Sequence, residues 1–529
     1  MQPDKLNLLE LGDEAARKAA GAIIREAQAD RELRGENYNK NWDMYKNRHE
    51  SYFKRRLDED DRIFTYRKNN AIKSNMCGFT VDLSAKYLYG KASKVVRIYS
   101  DDKKTDEKMR ELTGRFHLES FLLDAAKRSS IYGEGVARLV PVDWETGVQV
   151  IGKTTPTTYP HPISMDPRRT FVKLNRWGKI VAVFAQYFVS DYGTGKRKTI
   201  TELVVDDSRW LWESESTIDI LNPVGSFQTN PEVIFSGAAL VGGKPEKNPF
   251  RLCDEFIYFP NDEERKSDLN DIIDLNIALD EALTDKQHFF QKHGWPQLVS
   301  EVDLKNVAFS PNKIWEISPD IDDKKKVLDR LGFLTWDGKM EDHAKFVKHL
   351  EKQIMILSHT AAISTGDLEA IGQLRSGAAL ITAHSVAIHK TEAKQIIWEK
   401  NEKEFYRALA SMDAYFYNEK KDGRYPKLKP VIRFPKDFVP GSELERVQIQ
   451  QMQINSHMKP LTDIIEETYG NLGREEIEEK REEILKDASD IVDSTRKFIS
   501  VKEGEEGEGA SGKSGTPMQK SQQQKTPAS

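Results

Sequence analysis

Residues 377–423 read GAALITAHSVAIHKTEAKQIIWEKNEKEFYRALASMDAYFYNEKKDG, and the 45 residues between the two terminal glycines include neither Gly nor Pro. Since Pro and Gly are the residues that interrupt helices, the stretch predicts one helix of about 65–70 Å at about 1.5 Å per residue. Most helices in globular proteins are far shorter. The second half repeats apolar residues at the spacing of one helix face, at Phe405, Leu409, Met412 and Phe416.

The segments before this helix predict a second helix and a long loop. Residues 340–359 carry apolar side chains on one side and predict a helix. Residues 361–376, AAISTGDLEAIGQLRS, predict a glycine-punctuated loop. Loops of about 15 residues inside a compact region are usually functional or disordered. On this stretch alone, an ordinary long helical hairpin remains an alternative.

Residues 263–290 predict a further helix, with Ser267 or Asn261 as its N-cap. The segment contains eight acidic and three basic residues. An acidic face is ordinarily solvated, and it acquires a function only if several copies point inward around a hole. The apolar side of the helix consists of Leu269, Ile272, Ile273, Asn276, Leu279 and Leu283.

The remaining segments predict a mixture of helices and strands. Residues 12–56 predict two charged helices, the first over 15–34, and residues 105–131 predict a helix. Residues 160–260 predict mainly strands, including a hairpin of 180–189 with 199–205. Residues 294–338 predict a small insert with strands at 307–309 and 314–317, and 441–499 are predicted helical. Three aromatic residues of the β region are expected in its core: Trp177, Trp210 and Trp212.

Composition limits the classes of protein. The chain has 529 residues, enough for two to four domains, and a formal net charge of −5, which excludes capture of nucleic acid by a global basic field. Its mean hydropathy of −0.64 predicts an elongated chain or one that buries surface against other subunits. The two cysteines favour an intracellular setting. We expect no signal peptide, and the most apolar run, 180–189, is too short to span a bilayer.

No catalytic or metal-binding motif is convincing. Residues 507–514, GEGASGKS, match a phosphate-binding loop, but an acidic coil precedes them where a buried strand is needed. Gly133 and Gly135 lack the third glycine of a dinucleotide site and stand between a helix and a strand, the reverse of the required order. The histidines show no metal-ligand spacing. We therefore expect no cofactor, no metal and no enzymatic activity.

The order of the segments resembles the portal proteins of tailed bacteriophages, particularly those of siphophages that infect Gram-positive bacteria. The resemblance spans about residues 38–435. Four segments carry it: Val81-Asp82 through Tyr87-Leu88-Tyr89-Gly90-Lys91; Tyr132-Gly133-Glu134-Gly135; Phe259-Pro260-Asn261 leading into Ser267-Asp268-Leu269; and Leu357-Ser358 through Ser376-Gly377-Ala378-Ala379-Leu380.

The resemblance implies an α+β portal-type fold, assembled as a ring of commonly twelve subunits. It divides the chain into an N-terminal helical and α+β wing (1–262), a first stem helix (263–293), a small α/β clip (294–338), a second stem helix (339–360), a tunnel loop (361–376), a long wing helix with a returning strand (377–440), a helical crown (441–500) and a disordered tail (501–529).

The resemblance also implies the functional surfaces. The tunnel loop faces DNA through Ser364, Thr365, Gly366, Asp367, Leu368, Glu369, Gln373 and Arg375. The channel side of the stem carries Asp268, Asp271, Asp274, Glu281 and Asp285, and repels the duplex. The clip binds partners through Trp315, Lys324, Lys325, Lys326, Arg330 and Trp336. Because the tunnel loop has no lysine, Arg375 is its one candidate for a phosphate contact.

The implied function is a channel at one capsid vertex, assembled in the host cytoplasm, through which double-stranded DNA is packaged and ejected. The implied partners are the terminase large subunit, the head-to-tail adaptor, and the major capsid and scaffold proteins, with no membrane. Two alternatives stay open at this point: a different virion structural or scaffold protein, and an enzyme that acts on nucleic acid.

Overall fold

The computed structural model describes most of the chain. The described residues are 13–57, 59–89, 95–143, 145–146, 157–190, 197–206, 208–214, 239–240, 246–248, 250–293, 297–300, 331–334, 340–360, 377–434, 460–469, 477–486 and 489. They belong to two compact units, Met1–Ile449 and Gln450–Ser529. The mixture of helices and sheets confirms the predicted α+β class.

The helices of the first unit include three that recur below: the long helix (Gly377–Phe416), the acidic helix (Ile273–His293) and the lysine helix (Met340–Ser358). The others are Asp13–Tyr45, Asp61–Asn69, Met76–Tyr89, Lys103–Gly114, Leu118–Tyr132, Leu252–Glu255 and Lys421–Arg424, with a 3₁₀ turn at His49–Tyr52. In the second unit, helices cover Leu461–Tyr469 and residues 477–486, as predicted for this part of 441–499.

The strands form four sheets in the described residues. Their orders are β10-β2-β3, β1-β13, β11-β12, and β4-β5-β6-β7-β8 with β9 also paired to β7. The strands are β1 (Val96–Ser100), β2 (Glu134–Asp143), β3 (Thr158–Met165), β4 (Thr170–Leu174), β5 (Ile180–Ser190), β6 (Arg197–Val205), β7 (Ser208–Ser214), β8 (Ala239–Leu240), β9 (Glu246–Lys247), β10 (Phe256–Pro260), β11 (Gln297–Ser300), β12 (Leu331–Leu334) and β13 (Leu428–Arg433).

The long helix has 40 residues and begins where the sequence predicts, but it ends at Phe416, well before Gly423, where the predicted helix ends. Asn418 adopts a left-handed conformation with φ of 55°, and the N–H of Glu419 donates to the carbonyl of Ala414 at 2.9 Å. Asn tolerates this conformation and ends helices much as Gly does. The absence of Gly and Pro therefore predicts a helix that is too long at its C-terminal end.

The long helix forms the core of the first unit with its second half. Phe405, Tyr406, Leu409 and Met412 are fully buried there. They pack with residues of the Leu118–Tyr132 helix, of β10 and of β13, such as Leu122, Phe259 and Ile432. The apolar periodicity of the sequence identified this face correctly.

The N-terminal region corrects two predictions. One helix of 33 residues, Asp13–Tyr45, replaces the first predicted helix and part of the second, because Gly35 is accommodated inside it. A single interior Gly costs a helix only about 1 kcal/mol, which packing of Ile23, Ile24 and Ala27 against the larger sheet offsets. Residues 105–131 likewise form two helices, which meet at residues 115–117.

The larger sheet confirms the predicted hairpin and corrects one core residue. β5 and β6 pair antiparallel, with Gln186 opposite Thr201. Trp210 is buried, as expected, whereas Trp177 lies in the turn between β4 and β5 and is 65% exposed. The side chain of Trp212 and the predicted strands at 307–309 and 314–317 lie outside the described residues. In the insert 294–338, the structure describes the antiparallel pair of β11 and β12.

Gly133 explains the glycine pair in the sequence. It ends the Leu118–Tyr132 helix with φ of 84°, and a Cβ at this position would lie 2.0 Å from the carbonyl oxygen of Arg265. Its own carbonyl accepts a hydrogen bond from the N–H of Asn261 at 2.9 Å. The glycine therefore permits close packing of two backbone segments at a helix end.

We predict that Gly133→Ala lowers the free energy of unfolding by more than about 2 kcal/mol, because the left-handed conformation costs an L-residue about 1–2 kcal/mol before the clash is counted. Gly114→Ala is the matched control: its Cβ meets nothing within 4 Å, and it should raise stability by about 0.5–1 kcal/mol. Urea denaturation of both variants at one protein concentration measures the difference. Equal effects would contradict this role of Gly133.

Candidate functional site

Two of the three predicted functional surfaces fall outside the described residues. These are the loop residues Ser364, Thr365, Gly366, Asp367, Leu368, Glu369, Gln373 and Arg375, and the insert residues Trp315, Lys324, Lys325, Lys326, Arg330 and Trp336. The structure describes the helices that enter and leave both segments. The site is therefore built from the acidic helix, the lysine helix and the long helix.

The acidic helix and the lysine helix pack against each other through apolar side chains. Leu279 on the acidic helix and Ile354 on the lysine helix are fully buried, and both belong to one apolar cluster. The cluster also includes Ile272, Ile273, Val347 and Leu350. The stripe predicted for the acidic helix is confirmed, but of the stripe predicted for the lysine helix Phe346 and Leu357 are exposed. The acidic helix begins at Ile273, after a turn over 268–272, so neither Ser267 nor Asn261 is its N-cap.

The N-terminal segment, residues 40–74, runs along the acidic helix and carries its counter-charges. Lys40 pairs with Asp274 at 2.9 Å, Arg67 pairs with Glu281 at 3.1 Å, and Arg56 pairs with Asp285. The fourth acid, Asp271, pairs with Lys266 at 2.8 Å. Each of these carboxylates therefore has a base of the same chain beside it, which weakens any field that the acidic face exerts.

A buried polar network fastens the N-terminal segment to the same helix. The Nδ1 atom of His49 lies 2.5 Å from Oδ2 of Asp280, and its Nε2 atom lies 2.8 Å from the carbonyl oxygen of Met44. The N–H of Ser74 donates to Oδ1 of Asp280 at 2.7 Å. Asn276 accepts from the N–H of Cys77 at 3.0 Å. The sequence signal for this network is Asn276, the one polar residue in the predicted apolar stripe of the acidic helix.

Asp268 does not face a channel, and that prediction is wrong. Its side chain is 3% exposed, and its Oδ2 and Oδ1 atoms contact the ammonium groups of Lys394 at 2.5 Å and Lys390 at 3.1 Å. The hydroxyl groups of Ser130 and Ser84 donate to Oδ2 at 2.5 and 3.1 Å. A buried carboxylate is stable only when paired in this way, so Asp268 is a structural ion-pair centre.

Charge pairing sets the protonation state of Asp268. Burial alone would raise its pKa, but the ammonium groups of Lys394 and Lys390, with the hydrogen bonds from Lys394 and Ser130, hold the pKa well below its usual range. The carboxylate is therefore ionised throughout the physiological pH range. Its two lysine partners lie on the long helix, more than 120 positions away in the sequence.

The same cluster joins the helix before the segment 361–376 to the helix after it. Lys390, near the start of the long helix, also donates to the carbonyl of Ser358 at 3.3 Å, and Ser358 is the last residue of the lysine helix. The helix before the segment and the helix after it are thus joined through one ammonium group to Asp268. We call Asp268, Lys390 and Lys394 the root cluster.

A second buried ion pair anchors the long helix at its other half. Glu402 is fully buried and accepts from the Nε atom of Arg97 at 2.7 Å and from the hydroxyl groups of Tyr89 at 2.8 Å and Tyr406 at 2.6 Å. The carboxylate, with three hydrogen-bond donors, lies between β1, the Met76–Tyr89 helix and the long helix. Both halves of the long helix are therefore fixed by buried charge.

The described residues contain no group of three or more His, Cys, Asp or Glu side chains arranged to hold a metal ion. In the same described part of the chain, no helix is long and apolar enough to cross a membrane.

The comparison with protein families decides the identity. The model of the phage portal proteins that are similar to SPP1 Gp6 matches residues 25–490. The chain belongs to this family. A search of curated proteins found no match. The resemblance seen in the sequence is thereby confirmed, and the match extends beyond 38–435 at both ends.

The chain is accordingly a phage portal protein. Portal proteins are structural components of the capsid that form ring oligomers, through which DNA is packaged, and interact with terminase, adaptor and capsid proteins. In this portal protein, the root cluster lies where the acidic helix and the lysine helix meet the long helix.

We predict that Asp268→Asn lowers the free energy of unfolding by about 3–5 kcal/mol, because it leaves two buried or half-buried ammonium groups without a counter-charge. Asp271→Asn makes the same chemical change in an ion pair that is 55% exposed on the acid side, and it should cost less than about 1 kcal/mol. Urea denaturation gives both values. Similar losses in the two variants would contradict the structural role of Asp268.

The difference between wild type and Asp268→Asn should also depend on pH. The folded chain keeps Asp268 ionised, whereas the unfolded chain protonates it near pH 4, so the carboxylate stabilises the fold fully above about pH 5. The stabilisation is lost progressively as the pH falls below about 4. Thermal denaturation of both proteins between pH 7 and pH 3 should show their midpoints converging toward the acid end.

Proposed function

We propose that the chain forms a closed ring of twelve subunits at one capsid vertex, assembled in the host cytoplasm, and that double-stranded DNA passes through it during packaging and ejection. The family match over residues 25–490 carries this proposal. We propose further that the ring binds the terminase large subunit, the head-to-tail adaptor, and the major capsid and scaffold proteins, and that the chain has no enzymatic activity of its own.

The geometry supports the division of the chain into portal regions. The acidic and lysine helices pack as a pair and flank the insert 294–338, as a stem that carries a clip would. The clip then offers Trp315, Lys324, Lys325, Lys326, Arg330 and Trp336 to its partners. The segment 361–376 follows the stem and supplies the tunnel loop, with Arg375 as its basic residue, and 441–500 form the crown.

The long helix offers a surface for contact between subunits. Val386, Ala393 and Ile396 are exposed on one face, although the opposite face is buried in the core. Ile396 is 73% exposed and Val386 is 54% exposed. Large apolar residues that share an exposed face mark interaction sites. In a ring of identical chains, the occupant of this face is the next subunit, which contacts it through a different surface, as closed cyclic rings require.

Ile396→Asp should prevent ring formation without unfolding the chain, because it places a charge in the subunit contact and removes no buried side chain. Ile63→Asp, at a residue of the Asp61–Asn69 helix that is 50% exposed, is the matched control and should leave the ring intact. Single-particle electron microscopy of the purified chains, each of 60.6 kDa, counts the subunits. Intact rings of Ile396→Asp with normal subunit number would contradict this contact.

Shortening the segment between Ile363 and Arg375 should spare ring assembly and impair packaging, because we place this loop in the channel and not between subunits. The length of DNA packaged by phage that carry the deletion measures the effect. Packaging of full-length DNA would argue against the tunnel-loop assignment. Failure of the deleted protein to form rings would instead assign the loop to the subunit contact.

A further inference from the structure

A small cavity lies where the Asp13–Tyr45 helix crosses the turn between β3 and β4. It has a volume of about 30 Å³ and opens partly to solvent. About 10–15 Å³ suffices for one water molecule, so the space is that of about two waters or of one small oxyanion group. Two arginines of the helix and two of the turn line it: Arg31, Arg34, Arg168 and Arg169. We call these four residues and the space between them the arginine cavity.

Contacts of the backbone and of one aromatic ring hold the helix and the turn together. In the turn, the N–H of Arg168 donates to Oδ1 of Asp166 at 3.0 Å, and the N–H of Arg169 donates to the carbonyl of Asp166 at 2.9 Å. The guanidinium group of Arg168 lies 5.0 Å from the ring centre of Trp42 on the helix. Arg31, on the same helix, donates from Nη1 to the carbonyl of Arg168. The fold itself therefore brings the four arginines together.

Three carboxylates pair with two of these arginines. Both oxygens of Asp30 accept from Nη2 of Arg34 at 2.6 Å, and Oε1 of Glu134 lies 3.4 Å from Nη1 of Arg34. Oδ2 of Asp166 lies 2.7 Å from Nη2 of Arg168. These acids act first on Arg34 and Arg168, because they are in direct contact with those two side chains.

The positive charges of Arg31 and Arg169 are only partly compensated. Burial lowers the pKa of the Arg31 guanidinium to about 10; the carboxylate of Asp166 raises this pKa, and the charges of Arg169 and Arg168 lower it further. Burial and the charge of Arg168 also lower the pKa of Arg169, against the raising effect of Asp166. Since an arginine ordinarily keeps a pKa above about 12, the cavity disfavours the charge of its own side chains. A bound anion would remove this cost.

Arg34 supplies a hydrogen-bond donor for such an anion. Its Nε atom is buried and has no hydrogen-bond partner in the described part of the chain. A buried donor on a charged group is costly to leave unsatisfied. Guanidinium groups bind carboxylate and phosphate oxygens through parallel pairs of N–H donors. The apolar side chains of Ala27, Phe171 and Phe184 also line the cavity, and they strengthen such bonds by excluding water.

We propose that the arginine cavity is a binding site for one small oxyanion group, a carboxylate or a phosphate, held by the guanidinium groups of Arg31, Arg34 and Arg169. The bound anion joins the Asp13–Tyr45 helix to the turn before β4, beside the apolar contact of that helix with the larger sheet. The site lies within one chain and does not depend on the portal assembly proposed above. We therefore expect it in single subunits as well as in rings.

The test measures thermal denaturation of the full chain at neutral pH in sodium phosphate, sodium acetate and sodium chloride of equal ionic strength. Arg31→Gln removes one charge from the helix side of the cavity, and Arg169→Gln removes one from the turn side. Arg25→Gln is the matched control, since Arg25 is exposed on the same helix and does not line the cavity. Circular dichroism establishes that each variant folds before the anions are compared.

We expect phosphate or acetate to raise the denaturation midpoint of wild type and of Arg25→Gln by about 2 °C or more over chloride, because a ligand that binds only the folded chain stabilises it. Arg31→Gln and Arg169→Gln should lose most of this gain. The general effect of an anion on protein hydration is common to all four proteins, so the difference between the variants and the control measures the site. Calorimetric titration of wild type with the stabilising anion should show saturable binding of one anion per chain.

The outcomes define the ligand or overturn the site. A gain with acetate alone assigns the cavity to carboxylates, and a gain with phosphate alone assigns it to phosphates. Equal gains in Arg31→Gln, Arg169→Gln and Arg25→Gln would overturn the proposal, because the stabilisation would then arise elsewhere on the chain. Absence of any gain over chloride in wild type, without saturable binding, would overturn it as well and would indicate that water fills the cavity. If one cavity variant fails to fold, the other decides.

Discussion

The buried contact of Asp268 with Lys394 and Lys390 is the constraint that joins the three helices of the site. A carboxylate at the base of the acidic helix stays ionised in the interior only because two ammonium groups of the long helix compensate its desolvation. Lys390 also reaches the last residue of the lysine helix. A movement of the long helix away from Asp268 therefore separates buried charges, and a movement of the lysine helix breaks the hydrogen bond of Lys390 to Ser358.

The acidic helix shows why a charge pattern in a sequence does not define a surface. Its surplus of acids was visible in the sequence, and so were the bases of residues 40–67, but the two lie more than 200 positions apart. Once they meet, the acidic face becomes the contact surface of the N-terminal segment.

Local periodicity predicted most of the fold and little of the site. The long helix, the lysine helix and the β5–β6 hairpin followed from spacing, because burial of one face repeats along the chain. Periodicity did not predict the end of the long helix near Asn418 or the continuous helix through Gly35. Each depends on the backbone conformation of one residue, which tertiary packing selects. Trp177 was placed in the core on residue type alone and lies in an exposed turn. The root cluster and the His49–Asp280 pair depend on contacts between distant segments.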